Sequence, residues 1–195
     1  MNTVFLSASI PLPDRDRKFF DTADVISIRE AIKGLVLVIL ESRTDLVFGG
    51  HPAITPLVTM LFQQAGFSPE EHVTLYQSQH FKDKFPEQNQ EMTKIVVTEG
   101  IDGDREKSLE LLRRRMIGDS RYSCGVFIGG MEGVLNEFDL FRETHPNTPV
   151  FPIASTGAAA SIIYNKYSLN FDLLRTEYTY PTLFRTLFSG LNGIN

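Results

Sequence analysis

The sequence predicts an α/β fold of Rossmann-like type: a mostly parallel open sheet with helices on both faces. Three observations carry this reading. Short apolar runs alternate with segments whose apolar residues recur at three and four, the pattern of strands followed by amphipathic helices. Two of those runs break at paired glycines into a helical pattern. Leu46-Val47-Phe48 runs into Gly49-Gly50-His51-Pro52, and Gly125-Val126-Phe127-Ile128 runs into Gly129-Gly130-Met131-Glu132-Gly133. Finally, 195 residues suffice for one substantial core, and no repeat, low-complexity tract or linker divides them. Residues 1–195 therefore read as a single domain.

The elements follow in order. Thr3 to Ser7 is a short apolar strand, followed by a loop rich in Pro, Asp and Arg from Pro11 to Arg17. Asp24 to Leu40 reads as a helix, because Val25, Ile28, Ile32, Leu35, Val36 and Ile39 fall on one face; Asp21 and Asp24 are candidate caps. Leu46 to Phe48 is the second strand and Thr55 to Ala65 the second helix, closed by Gly66. Val73 to Tyr76 is a third strand, and the polar segment from Gln77 to Gln90 reads as irregular. Ile95 to Thr98 gives a fourth strand and Asp104 to Met116 a helix with Leu109, Leu112 and Met116 along one side. Val126 to Ile128 is the fifth strand, Gly133 to Arg142 its helix, and Val150 to Ile153 the sixth strand. A helix is expected from Gly157 to Tyr164 and another from Pro181 to Phe188.

Composition narrows the partners. A net charge of −5 argues against a nucleic-acid binder, whose surface is usually basic. A local cluster such as Arg113-Arg114-Arg115 still suits a small anionic ligand. The single cysteine, Cys124, excludes an internal disulfide and reads as an inert strand residue. The four histidines are scattered without ligand spacing, so no metal site and no cofactor are expected. The longest apolar run, Gly34 to Leu40, is far short of the ~20 residues that span a bilayer, and the start lacks a secretory pattern. A cytoplasmic protein without membrane contact is expected.

Parallel sheets bind ligands beyond the carboxyl ends of their strands, near the point where strand order reverses. Both glycine turns follow strands and fall at that edge, as do Ser7-Ala8-Ser9 and Ser155-Thr156-Gly157. A strand that breaks at glycine into a helix start brings unpaired backbone N–H groups toward an anion, and no Cβ blocks the approach. That is the physics of phosphate binding. The plainer alternative is that the glycines only permit tight turns.

The run from Arg113 to Glu137 resembles the core of the SLOG superfamily. This group joins the cytokinin-activating "lonely guy" phosphoribohydrolases, the DNA-processing DprA proteins and nucleotide sensors. In the phosphoribohydrolases a helix with an Arg-Lys pair leads into an apolar strand and then Pro-Gly-Gly-x-Gly-Thr-x-x-Glu. Here the pair falls on Arg113 and Arg114, and Phe48-Gly49-Gly50 takes the place of the family's first glycine turn. The departures are Ile128 for the Pro, Val134 for the Thr, and one extra residue between Gly130 and Gly133. The opening VFLSASIP and the run VFIGGMEGVLNEFDLF are more similar to SLOG proteins of prokaryotic conflict systems, such as Thoeris anti-phage defence.

The resemblance implies a sensor that binds a phosphate-bearing, NAD-derived nucleotide of the ADP-ribose or cyclic ADP-ribose type. It also implies a homo-oligomer and an effector or TIR-type partner protein. The alternative is a hydrolase that cleaves a nucleoside 5′-monophosphate to base and ribose 5-phosphate, with Glu137 as its catalytic carboxylate. The altered glycine motif favours the sensor. Candidate ligand-binding residues are Ser7, Ser9, Gly49, Gly50, His51, Arg113, Arg114, Gly129, Gly130, Glu132, Gly133 and Glu137. Tyr164, Tyr167, Tyr178 and Tyr180 are candidates to stack on a base, to line an interface or to fill the core.

Overall fold

The structure, a computed structural model, describes residues 2–85, 94–167 and 171–192. Its six strands are β1 (Thr3–Ser9), β2 (Asp45–Gly49), β3 (Val73–Ser78), β4 (Ile95–Thr98), β5 (Cys124–Gly129) and β6 (Val150–Ile153). They form one sheet in the order β4-β3-β2-β1-β5-β6, with every pair parallel. The main helices are α2 (Val25–Ser42), α3 (Thr55–Gln64), α5 (Arg105–Gly118), α6 (Glu132–Thr144), α7 (Ala158–Lys166) and α9 (Tyr180–Asn192). All fall where the apolar periodicity predicts them, within a few residues at each end.

Three one-turn helices were not legible in the sequence: α1 (Arg17–Phe20), α4 (Pro69–His72) and α8 (Leu173–Thr176). One turn is too short to show a period of 3.6. Asp24 caps α2 by accepting from the Ser27 N–H at 2.9 Å. Asp21 is no cap of α2; it closes α1 and pairs with Arg17. Of the segment predicted irregular, Gln79–Lys84 forms a 3-10 turn, and residues 86–90 lie outside the described residues.

Side-chain alternation along the strands builds two cores, since successive residues point to opposite faces of a sheet. Val4, Leu6, Leu46, Phe48, Val126 and Ile128 pack on one face against α2, α3 and α9. Phe5, Val47, Tyr76 and Phe127 pack on the other against α5, α6 and α7. Cys124 is wholly buried in β5, and burial pushes its thiol pKa up, which leaves it unreactive.

The chain builds outward from β1 through β2, β3 and β4, then crosses back over the sheet through α5 to lay β5 on the other side of β1. The order therefore reverses between β1 and β5. Ser7 pairs with Phe127 and Ser9 with Gly129 across this line, so their carboxyl ends open one crevice.

Candidate functional site

A cleft of about 390 Å³ lies at that switch point, within the roughly 300–1,000 Å³ typical of small-ligand sites. The ends of β1 and β2 form its back, α5 one wall and the start of α6 the other. Of the predicted residues, Ser9, Gly49, Gly50, His51, Arg113, Glu132, Gly133 and Glu137 line it. Arg15, Arg105 and Glu106 also line the cleft; of these, Arg105 and Glu106 carried no signal in the sequence.

Glu137 is fixed from two sides. The Ser7 hydroxyl donates to its Oε2 at 2.6 Å, and Arg113 Nε stands 3.6 Å from its Oε1. Ser7 thus holds the carboxylate from behind rather than facing the cleft. Burial pushes the Glu137 carboxyl above the usual range, while the Ser7 hydrogen bond and the Arg113 charge pull it partly back.

This shift sets a pH dependence. A carboxyl raised in the folded state binds its proton more tightly there than when unfolded, so stability falls as pH rises above the unfolded value. Glu137→Gln carries no titrating group at this position. Urea unfolding of both proteins at acid and neutral pH should show the wild type losing stability relative to the variant as pH rises. Parallel curves would mean that the carboxyl is not held up.

Arg113 and its neighbour part company. Leu112 and Met116 face the sheet, which turns Arg113 toward α6. Its Nη2 lies 3.4 Å from where a Cβ at Gly133 would stand, so the guanidinium rests against the first turn of α6. Its Nε is buried and lacks a hydrogen-bond partner among the described residues. Arg114 points away, exposed, and pairs with Glu110 at 2.9 Å. Of the two candidate arginines, the cleft contains only Arg113.

The glycines act differently from the sequence expectation. Gly130 N–H donates to Ser9 O at 2.8 Å, Gly129 N–H to Thr156 Oγ1 at 2.9 Å and Gly50 N–H to Tyr76 O at 2.8 Å. These donors are engaged and shape the turns. The N–H groups of Glu132 and Gly133 open α6, where no acceptor exists inside a helix and the N-cap Met131 supplies no side-chain cap.

The tyrosine group lies outside the cleft. Tyr164 and Tyr180 are core residues, Tyr180 sharing a hydrogen bond with Ser155 at 3.2 Å. Tyr167 donates to Asp139 at 2.6 Å and packs beside Phe138. Among the described residues no cluster of His, Cys, Asp or Glu could hold a metal, and no helix is long and apolar enough to cross a membrane.

The model of the SLOG cluster3 family matches residues 18–188. The chain belongs to the SLOG cluster3 family. That span takes in both glycine turns, Arg113 and Glu137, but not Ser7 or Ser9. The SLOG chain is also similar to the crystal structure of TM1055, a structural-genomics target. The TM-score is 0.50, with 17% identity over 85% of this chain and 81% of that one. At that identity the likeness shows a shared fold. No curated protein matches the chain. Membership of the family supports a nucleotide-related function for this chain.

Proposed function

We propose that the cleft binds a phosphate-bearing nucleotide with its phosphate between Arg113 and the start of α6, and that the bound species is an NAD-derived signal of the ADP-ribose or cyclic ADP-ribose type. One observation carries the phosphate placement. A guanidinium whose Nε is buried without a hydrogen bond rests against the positive end of a helix, a juxtaposition of like charge that the dipole disfavours. An anion added there meets both the guanidinium and the uncapped N–H groups, and turns the cost into a gain. The Glu137 carboxyl stands nearby, but at 3.6 Å it makes no hydrogen bond with Arg113 Nε. The resemblance to conflict-system SLOG proteins supports the ADP-ribose class, a homo-oligomeric assembly and an effector or TIR-type partner.

Calorimetry with ADP-ribose, cyclic ADP-ribose, NAD and AMP tests the reading. A charge-assisted hydrogen bond contributes about 1.5–3 kcal/mol, so Arg113→Ala should weaken binding roughly ten- to a hundredfold. Arg114→Ala, which removes only an exposed pair with Glu110, should leave affinity unchanged. Equal losses in both variants, or no nucleotide binding by the wild type below about millimolar, would overturn the proposal.

A hydrolase reading has its own support in the Ser7-held Glu137, a half-buried carboxyl with a raised pKa on the cleft edge, suited to proton transfer to a reacting group. In that reaction water adds to the ribose C1′, the N-glycosidic bond breaks, and the base leaves with a proton. Chromatography of AMP incubated with the protein distinguishes the two readings. Adenine and ribose 5-phosphate that disappear with Glu137→Gln favour the hydrolase.

A further inference from the structure

We infer that His51 selects the uncharged part of the nucleotide: its imidazole donates from Nε2–H to a neutral acceptor, a ribose hydroxyl or a base ring nitrogen, while the phosphate stays at α6. The inference rests on the phosphate placement proposed above and adds a residue role that the glycine motif does not contain. Its starting point is an accounting of donors in the turn after β2. Gly50 N–H is taken by Tyr76 O, and His51 N–H by Thr55 Oγ1 at 3.1 Å. Pro52 has no N–H, and those of Ile54 and Thr55 both go to the His51 carbonyl, at 3.1 and 2.9 Å. Unlike the start of α6, this helix start has its backbone donors engaged. It is poorly suited to a phosphate.

The remaining donor is Ala53 N–H, and it goes to His51 Nδ1 at 3.2 Å. A peptide N–H only donates, so Nδ1 must be an unprotonated acceptor. A neutral imidazole with a bare Nδ1 carries its hydrogen on Nε2. The turn therefore fixes both the orientation and the tautomer of the ring. His51 lines the cleft, and Nε2 has no hydrogen-bond partner among the described residues. Burial and the nearby Arg15 charge press the imidazole pKa down to about 4, in agreement with a ring that stays neutral. With Arg15 supplying the charge on this side, His51 offers a directional neutral donor.

Two measurements test this. Long-range 1H–15N spectra of the imidazole nitrogens in the intact chain should show the Nε2–H tautomer of His51 between about pH 5.5 and 8. An imidazolium or an Nδ1–H tautomer in that range overturns the inference. In calorimetry, His51→Phe should weaken ADP-ribose binding roughly two- to tenfold, the range for one neutral hydrogen bond. Affinity for inorganic phosphate should be unchanged, and His51→Gln, whose amide NH₂ can replace Nε2–H, should restore most of the loss. If His51→Phe weakens phosphate and ADP-ribose alike, or neither, the assigned role is wrong while the phosphate site stands. If the wild type binds neither probe, the phosphate placement itself fails and the ligand role of His51 falls with it.

Discussion

Gly157→Ala is expected to destabilise the fold by about 3–5 kcal/mol and to lower the thermal midpoint by roughly 10 °C. Gly157 adopts φ +72 and ψ −157, a region closed to side-chain-bearing residues in ordinary structures. A Cβ there would stand 1.9 Å from the Thr22 carbonyl oxygen, a backbone atom with no freedom to swing aside. The neighbouring contacts would open with it. Gly157 bridges Ala23, Asp24 N–H donates to Thr156 O, and Ala158 N–H donates to Thr22 O. Differential scanning calorimetry measures the effect directly; a midpoint within a degree or two of wild type would mean that this crossing yields easily.

Gly130→Asp is expected to abolish nucleotide binding, with a loss beyond roughly a hundredfold, whereas Gly49→Ala stays within about twofold of wild type. The two glycines look alike in sequence. At Gly130, φ is +90 and a Cβ would meet Val134 Cγ2 at 2.3 Å and Val134 Cβ at 2.7 Å. Relief of that clash displaces the first turn of α6, whose N–H groups face the proposed phosphate, and the new carboxylate repels the anion. At Gly49 the nearest atom is Met116 Sδ at 3.5 Å, an ordinary contact. Calorimetry with ADP-ribose, with circular dichroism to confirm folding, compares them. A folded Gly130→Asp protein that binds like wild type would remove the anion from this end of the cleft.

The sheet and its helices were legible because the apolar runs of the central strands β1, β2 and β5 are largely buried and each main helix carries two or more turns of periodicity. The glycine turns, Glu137 and His51 could be placed at one edge for the same reason, since a parallel sheet brings all its carboxyl ends together. What the sequence left open was the choice between Arg113 and Arg114. Adjacent helix positions differ by 100°, and the choice depends on how α5 seats Leu112 and Met116 on the sheet. The fate of the glycine donors was equally hidden, because their acceptors Ser9, Tyr76 and Thr156 lie on distant elements. Arg105 and Glu106 read as an ordinary charged helix start, and nothing local distinguishes them.

The hydrogen bond from Ser7 to Glu137 also has a kinetic meaning, because its partners stand 130 positions apart in the chain. Closing a loop of that length costs about 2 kcal/mol more entropy than closing one a tenth as long. Strands β1 to β4 are contiguous in chain order and can associate early, whereas β5 must return to the flank of β1 after α5 is in place. The last long-range closure of the central sheet is therefore the one that makes the cleft. Without β5 and α6 the β1 edge has no neighbour on this side and the cleft lacks the wall that carries Glu132, Gly133 and Glu137. The site is thus a property of the completed sheet, assembled from segments that only the full topology brings together.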